Sequence, residues 1–183
     1  MATQVAIRWT WLAWQPGCTW SEHIVPQLDG AGIPVWKLDR CVYVIRTNGI
    51  FAIDYPYKPS PVIYIGEGNF KQRLSKHKYW LGDLEELVRD YSFCIGVALP
   101  RVQNHYEAYK DYEAALIQRF RDIHGSAPMA NSHMEYRRSD YEYDDKVMRE
   151  ALLIGKGVRF KWAIKPMPSA SLHEAYYKTH LDS

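Results

Sequence analysis

Tyr109, Tyr112, Leu116, Phe120 and Ile123 recur at spacings of three and four, which lays them along one stripe of a single long helix. Gly125 follows where a left-handed cap can end that helix. A helix with an apolar stripe must bury it against another layer, so the rest of the chain has to supply that layer.

The material for a sheet lies upstream. Cys41 to Arg46 reads Cys-Val-Tyr-Val-Ile-Arg, rich in β-formers, and Asn48-Gly49 is the dipeptide that favours a type I′ hairpin reversal. After Ile50 to Ile53, the stretch from Tyr55 to Pro61 holds three prolines; proline cannot donate to a ladder, which marks a surface loop. Val62 to Gly66 reads as the next strand. Phe93, Ile95, Val97 and Leu99 alternate as a third, with Pro100 as terminator.

Between these strands, Asn69 and Gln72 resemble a capping box, and Phe70, Leu74, His77 and Leu81 follow at helical spacing. Asp83 and Glu86 suggest a further helix start before Leu87 and Val88. Near the N-terminus, Val5 to Trp14 reads as one strand, closed by the Pro16-Gly17 turn, with an irregular stretch to Pro34. Beyond Asn131 the expected elements are a helix over Asp144 to Leu153, a strand over Val158 to Ile164, and a helix opening at Ser171 with Glu174. The pattern predicts an α/β fold of the α+β type, a small mainly antiparallel sheet flanked by helices. It divides one domain over 1–183 into an N-terminal extension (1–39), a core (40–133) and a C-terminal extension (134–183).

With 183 residues, one well-buried core is affordable and two full domains are not. Hydrophobic residues at 47% and charged residues at 24% exclude disorder and fibrous repeats. No apolar run approaches the ~20 residues of a membrane-spanning helix, and nothing near the N-terminus has the pattern of a signal peptide. A cytoplasmic protein with no membrane partner is therefore expected. Cys18, Cys41 and Cys94 lack the spacing of a disulfide framework or zinc site and are expected as small core fillers. A net charge of +2 is a weak electrostatic footprint for a nucleic-acid binder. The seven tryptophans and fourteen tyrosines stand out; Trp9, Trp11, Trp14 and Trp20 can serve as core, as subunit contact or as base-stacking surface.

Cys41-Val42-Tyr43 and Tyr64-Ile65-Gly66 each sit on an expected strand. Arg73 follows on the next helix, Glu113 within Tyr-Glu-Ala-Ala-Leu-Ile on the long helix, and Asn131 after Pro128. This ordered set resembles the GIY-YIG nuclease superfamily over roughly residues 40 to 133. Cys41 and Val42 stand where the first half-motif has Gly and Ile, and the spacer of about twenty residues from Tyr43 to Tyr64 exceeds a minimal family hairpin. Arg73 and His77, four apart and so on one helix face, resemble the Arg-x-x-x-His pairing of some restriction endonucleases of this superfamily.

The resemblance implies a metal-dependent endonuclease, restriction- or defence-type, that hydrolyses DNA phosphodiester bonds. Glu113 would be the one protein ligand of Mg²⁺ or Mn²⁺, since a hard cation keeps several waters and binds through one or two carboxylates plus phosphate. Arg73 would grip a phosphate oxygen. Tyr43 would be the general base, though a free phenol ionises near 10 and needs activation by metal-bound water, His77 or a cation. Tyr64 would position water or phosphate, and Asn131 would hold the Glu113 helix or a loop. DNA would lie across the face that exposes Tyr43, Tyr64, Arg73 and Glu113.

Other readings stand beside these. His77, on its helix's apolar side, reads equally as a structural histidine. Lys58, Lys71, Lys76, Lys78, Arg137 and Arg138 are candidate phosphate contacts, although such charges are usually solvated surface. A palindromic target would imply a homodimer. The alternative function is a catalytically silent GIY-YIG-fold module that binds nucleic acid or protein.

Overall fold

The computed structural model describes residues 3–15, 17–48, 51–88, 92–131, 136–137, 139–153 and 160–169. Its centre is a four-stranded antiparallel sheet in the order β2-β6-β3-β5, built from β2 (Trp9–Trp14), β3 (Cys41–Thr47), β5 (Val62–Gly68) and β6 (Phe93–Ala98). Two short parallel pairs flank it: β1 (Thr3–Val5) with β7 (Tyr141–Tyr143), and β4 (Phe51–Ile53) with β8 (Trp162–Ile164). The helices are α1 (Val25–Gly30), α2 (Phe70–Val88), α3 (Ala108–His124) and α4 (Asp145–Ala151). The mixed α/β expectation holds, with a mainly antiparallel main sheet.

The strand β3 is buried on both faces, which explains its unbroken apolar run where a half-exposed strand would alternate. It lies between β5 and β6, with Tyr43 opposite Gly66 and Val97. The hairpin expected at Asn48-Gly49 does not pair β3 with β4. Gly49 and Ile50 lie outside the described residues, and β4 pairs with β8 instead. The local turn signal is overridden because both edges of β3 are already taken by longer strands.

The proline-rich spacer is firmly tied. Ile53 and Ser60 exchange both backbone hydrogen bonds at 2.9 and 3.0 Å. Tyr55 is buried edge-on against Phe120 at 4.9 Å, donates its hydroxyl proton to the Val62 carbonyl, and accepts from the Met129 amide.

Toward the N-terminus the expected single strand is split into β1 and β2, and the stretch before Pro34 is helical rather than irregular. A π-helical turn over Trp20–Ile24, capped by Thr19, runs directly into α1, and a 3₁₀ helix covers Val35–Arg40. The segment expected as an extension thus supplies an edge strand of the main sheet. Its tryptophans serve the fold: Trp14 is buried, Trp9 stacks on Trp11 at 5.8 Å, and Trp20 meets Phe70 at 5.9 Å. Trp11 lies on Gly96, where a Cβ would sit 2.4 Å from the indole. Arg46 covers the same indole at 3.8 Å and donates to the Glu150 and Ala151 carbonyls at the C-terminus of α4, where orphan carbonyls need donors.

The helix α2 carries the expected buried stripe of Phe70, Leu74, His77 and Leu81. Asn69 caps it by accepting from the Gln72 amide at 3.0 Å. No second helix begins at Asp83 and Glu86. α2 continues to Val88, since the apolar spacing passes through Leu81 and Leu84 and a lone Gly82 weakens a helix without ending it. The helix α3 is buried on more than its one stripe, because β1 and β7 cover a second side: Val5, Ala108 and Tyr141 form a small cluster there. Gly125 adopts φ 88° at its end, as expected. Of the cysteines, Cys41 is buried and Cys18 and Cys94 are half-buried, all as free thiols. Strand β8 begins at Trp162, and the helix expected from Ser171 lies outside the described residues.

Candidate functional site

In β5, residues two apart share a face, so Tyr64 and Gly66 point the same way, and Tyr43, opposite Gly66, points with them. Two phenol rings meet over that glycine. A Cβ on Gly66 would lie 2.3 Å from the Tyr64 ring and 2.7 Å from the Tyr43 hydroxyl, so the second half-motif needs glycine to let its own tyrosine approach the other. The ring centroids of Tyr43 and Tyr64 are 5.8 Å apart.

Helix α2 completes the cluster from above the sheet. Phe70 packs on Tyr43 at 5.4 Å, and the His77 ring lies 4.5 Å from Tyr64. His77 Nε2 is 2.8 Å from the Tyr43 hydroxyl, and its Nδ1 is 3.0 Å from Trp80 Nε1. An indole N–H only donates, so neutral His77 must keep Nδ1 bare and carry its proton on Nε2. That N–H therefore donates to the Tyr43 oxygen. The imidazole is held neutral at ordinary pH: burial, and then the charge of Arg73, lower its pKa to about 4.

Burial pushes the Tyr43 phenol far above its usual range, with the nearby Tyr64 and a hydrogen bond to it adding in the same direction and the Arg73 charge opposing. Tyr64 is also raised, first by burial and then by the Glu113 carboxylate. Both tyrosines are phenols at neutral pH. Of the groups expected as activators of Tyr43, His77 thus stands as a donor to its oxygen, the direction that would stabilise a phenolate as it forms.

Exposure differs from expectation. Tyr43 is fully buried and Glu113 is 6% exposed, while Tyr64 is half-buried and Arg73 is exposed. DNA therefore cannot lie across a face that exposes all four; Arg73 and Tyr64 are what the surface presents, with Tyr43 and Glu113 behind them. Arg73 Nη2 lies 3.5 Å from Glu67, a long and weak pairing at the surface that leaves the guanidinium able to meet a phosphate.

Asn131 acts on the strand rather than on the Glu113 helix. Its amide oxygen accepts from the Ile65 N–H at 3.0 Å and its amide nitrogen donates to the Ile65 carbonyl at 2.7 Å. Ala130 N donates to Ile63 O. One side chain thus imitates a neighbouring strand along the free edge of β5, between the residues that carry Tyr64 and Gly66.

The basic candidates are scattered. Lys58, Lys71, Lys76 and Lys78 are exposed, with Lys71 over the Trp20 ring at 5.8 Å. Arg137 turns to the fold: it faces the buried Asp111 at 3.5 Å and donates to the Ser139 and Tyr141 carbonyls. Arg138 lies outside the described residues. Trp80 was not singled out by the sequence, although its place three residues after His77 was a readable signal, since such pairs are neighbours on a helix.

Among the described residues no group of three or more His, Cys, Asp and Glu side chains is arranged to hold a metal ion. Glu113 is a hard carboxylate donor, the chemistry that Mg²⁺ accepts beside water and substrate phosphate. No helix among the described residues is long and apolar enough to cross a membrane. No family model, curated protein or solved structure matches the chain.

Proposed function

We propose that this chain is a metal-dependent endonuclease of the GIY-YIG type that hydrolyses DNA phosphodiester bonds. The observation that carries the reading is the meeting of Tyr43, Tyr64 and His77, drawn from two strands and a helix, within electrostatic reach of Arg73 and Glu113. Residues far apart in the sequence are brought together by two paired strands and a helix, and this convergence supports the reading.

Arg73, at the surface, would bind a non-bridging phosphate oxygen and stabilise the charge that develops on it. Tyr64, beside Tyr43, would orient the attacking water; Tyr43 would take that water's proton only as a phenolate, after its own proton had left through the Tyr64 hydroxyl to solvent. The His77 N–H would stabilise negative charge on the Tyr43 oxygen. Glu113 would hold Mg²⁺ or Mn²⁺, whose chemistry when bound is to polarise the phosphate and acidify water.

The test is incubation with supercoiled plasmid in Mg²⁺ or EDTA, beside Glu113→Gln, which keeps the volume and removes the charge. Metal-dependent nicking that drops by at least ~100-fold in the variant supports the reading. The full burial of Tyr43 favours the second reading, a fold kept for binding without catalysis. DNA binding without cleavage under any metal condition would select it.

A further inference from the structure

Away from the two tyrosines, a groove of about 500 Å³ opens between the 3₁₀ helix Val35–Arg40 and the turn that follows β6. Two aromatic residues on its walls are unusually bare for their size, Trp36 at 72% and Tyr106 at 76% exposure. Each already carries a cation against its ring: Lys37 Nζ is 5.2 Å from the Trp36 centroid, and the Arg40 guanidinium is 5.4 Å from that of Tyr106. Arg101 braces the groove by donating to the Lys37 and Arg40 carbonyls at 3.0 and 2.6 Å. The turn below is fixed by a Val102–His105 bridge with Asn104 at φ 60°. Three cations line the groove against the single carboxylate of Asp39, which is engaged by the Asn69 amide at 2.7 Å.

We propose that this groove holds unpaired nucleotides of the DNA strand that enters the site. Flat aromatic faces with cations beside them are what a base and its phosphate require: the ring stacks on any base, and the cation meets the backbone. A paired duplex keeps its bases stacked on one another and cannot use these faces, so the occupant is a strand end, flap or gap. The position supports the assignment. Arg40 directly precedes Cys41, which pairs with Gly68. Arg73 Nε lies 3.8 Å from where a Gly68 Cβ would be. The groove therefore begins beside the guanidinium assigned to the reacting phosphate, and choosing DNA as the occupant rests on the nuclease reading.

Fluorescence anisotropy in EDTA tests the groove apart from cleavage, using a labelled blunt duplex and the same duplex with a single-stranded extension at matched salt. The wild-type chain should favour the extended duplex. Trp36→Ala and Tyr106→Ala should each weaken binding of the extended duplex by roughly 5- to 100-fold, Trp36→Phe should restore most of it, and Trp162→Ala, another exposed tryptophan, should not change it. Circular dichroism checks that each variant is folded. Equal wild-type affinity for both duplexes, or alanine variants that bind the extension as tightly as the wild type, would overturn the groove. A chain that prefers the extension through Trp36 yet never cuts keeps the groove and loses the nuclease. Cutting indifferent to both aromatics does the reverse.

Discussion

At the scale of single residues, Trp80 governs which nitrogen of His77 holds the proton. The indole N–H faces Nδ1, so protonating His77 would set two donors against each other, a cost added to that of burial. Trp80→Phe keeps the ring and removes the donor. In the folded variant the His77 midpoint, followed by NMR of the ring protons, should rise above about 4, with burial and the Arg73 charge still holding it below the free value. The acid limb of any nicking activity should move to higher pH with it, and the rate should fall roughly 2- to 10-fold, the worth of one hydrogen bond. An unmoved midpoint would mean that Trp80 is only packing. The shared helix face of Arg73 and His77 was legible in their spacing of four, and His77 stood among the groups that could activate Tyr43. The direction of the hydrogen bond between Tyr43 and His77 was not legible, because it depends on a third residue whose indole could equally have faced solvent.

Among elements, β5 is the one whose integrity the site needs most, and it is an edge strand whose outer side is held by a loop. Asn131→Ala removes both amide bonds to Ile65 and exposes that edge. Urea unfolding should show a loss of about 1–3 kcal/mol, and amide exchange at Ile65 should quicken more than at β3. A loss confined to activity with unchanged stability would instead make Asn131 a direct participant. The elements that the sequence displayed best were those whose pattern is local: the stripe of α2, the stripe and glycine cap of α3, the alternation of β6. Those it displayed poorly depend on partners far along the chain. Nothing near Phe51 says that it pairs with Trp162, and nothing near Trp11 says that its ring rests on Gly96. The Asn48-Gly49 signal misled for the same reason, since β5 and β6 outcompete β4 for the edges of β3.

For the molecule as a whole, two buried histidines tie stability to pH. His77 and His124 both have folded-state pKa values near 4, depressed mainly by burial, against 6.5 when free. A depressed histidine contributes stability that is fully present above 6.5 and is lost as pH falls through the window from 6.5 to about 4, because the unfolded chain takes up the proton first. The effect is on the order of 3 kcal/mol for each when complete. Between pH 7.5 and 4.5 the melting temperature should drop by roughly 10–20 °C, and His124→Gln should flatten that slope; a melting temperature constant across the range would show that neither ring is buried neutral. The short parallel pairs at the margins of the sheet bear on something else, the order of events in time. Gln4 of β1 reaches Glu142 of β7 across 138 residues, and Arg46 holds the end of α4 across 104 and 105. Contacts of such separation form slowly, since the entropy of closing the loop is lost before the contact repays it. On the ribosome the first strand must therefore wait, unpaired, until the seventh has emerged, and the sheet that carries both tyrosines can assemble before the chain closes around it.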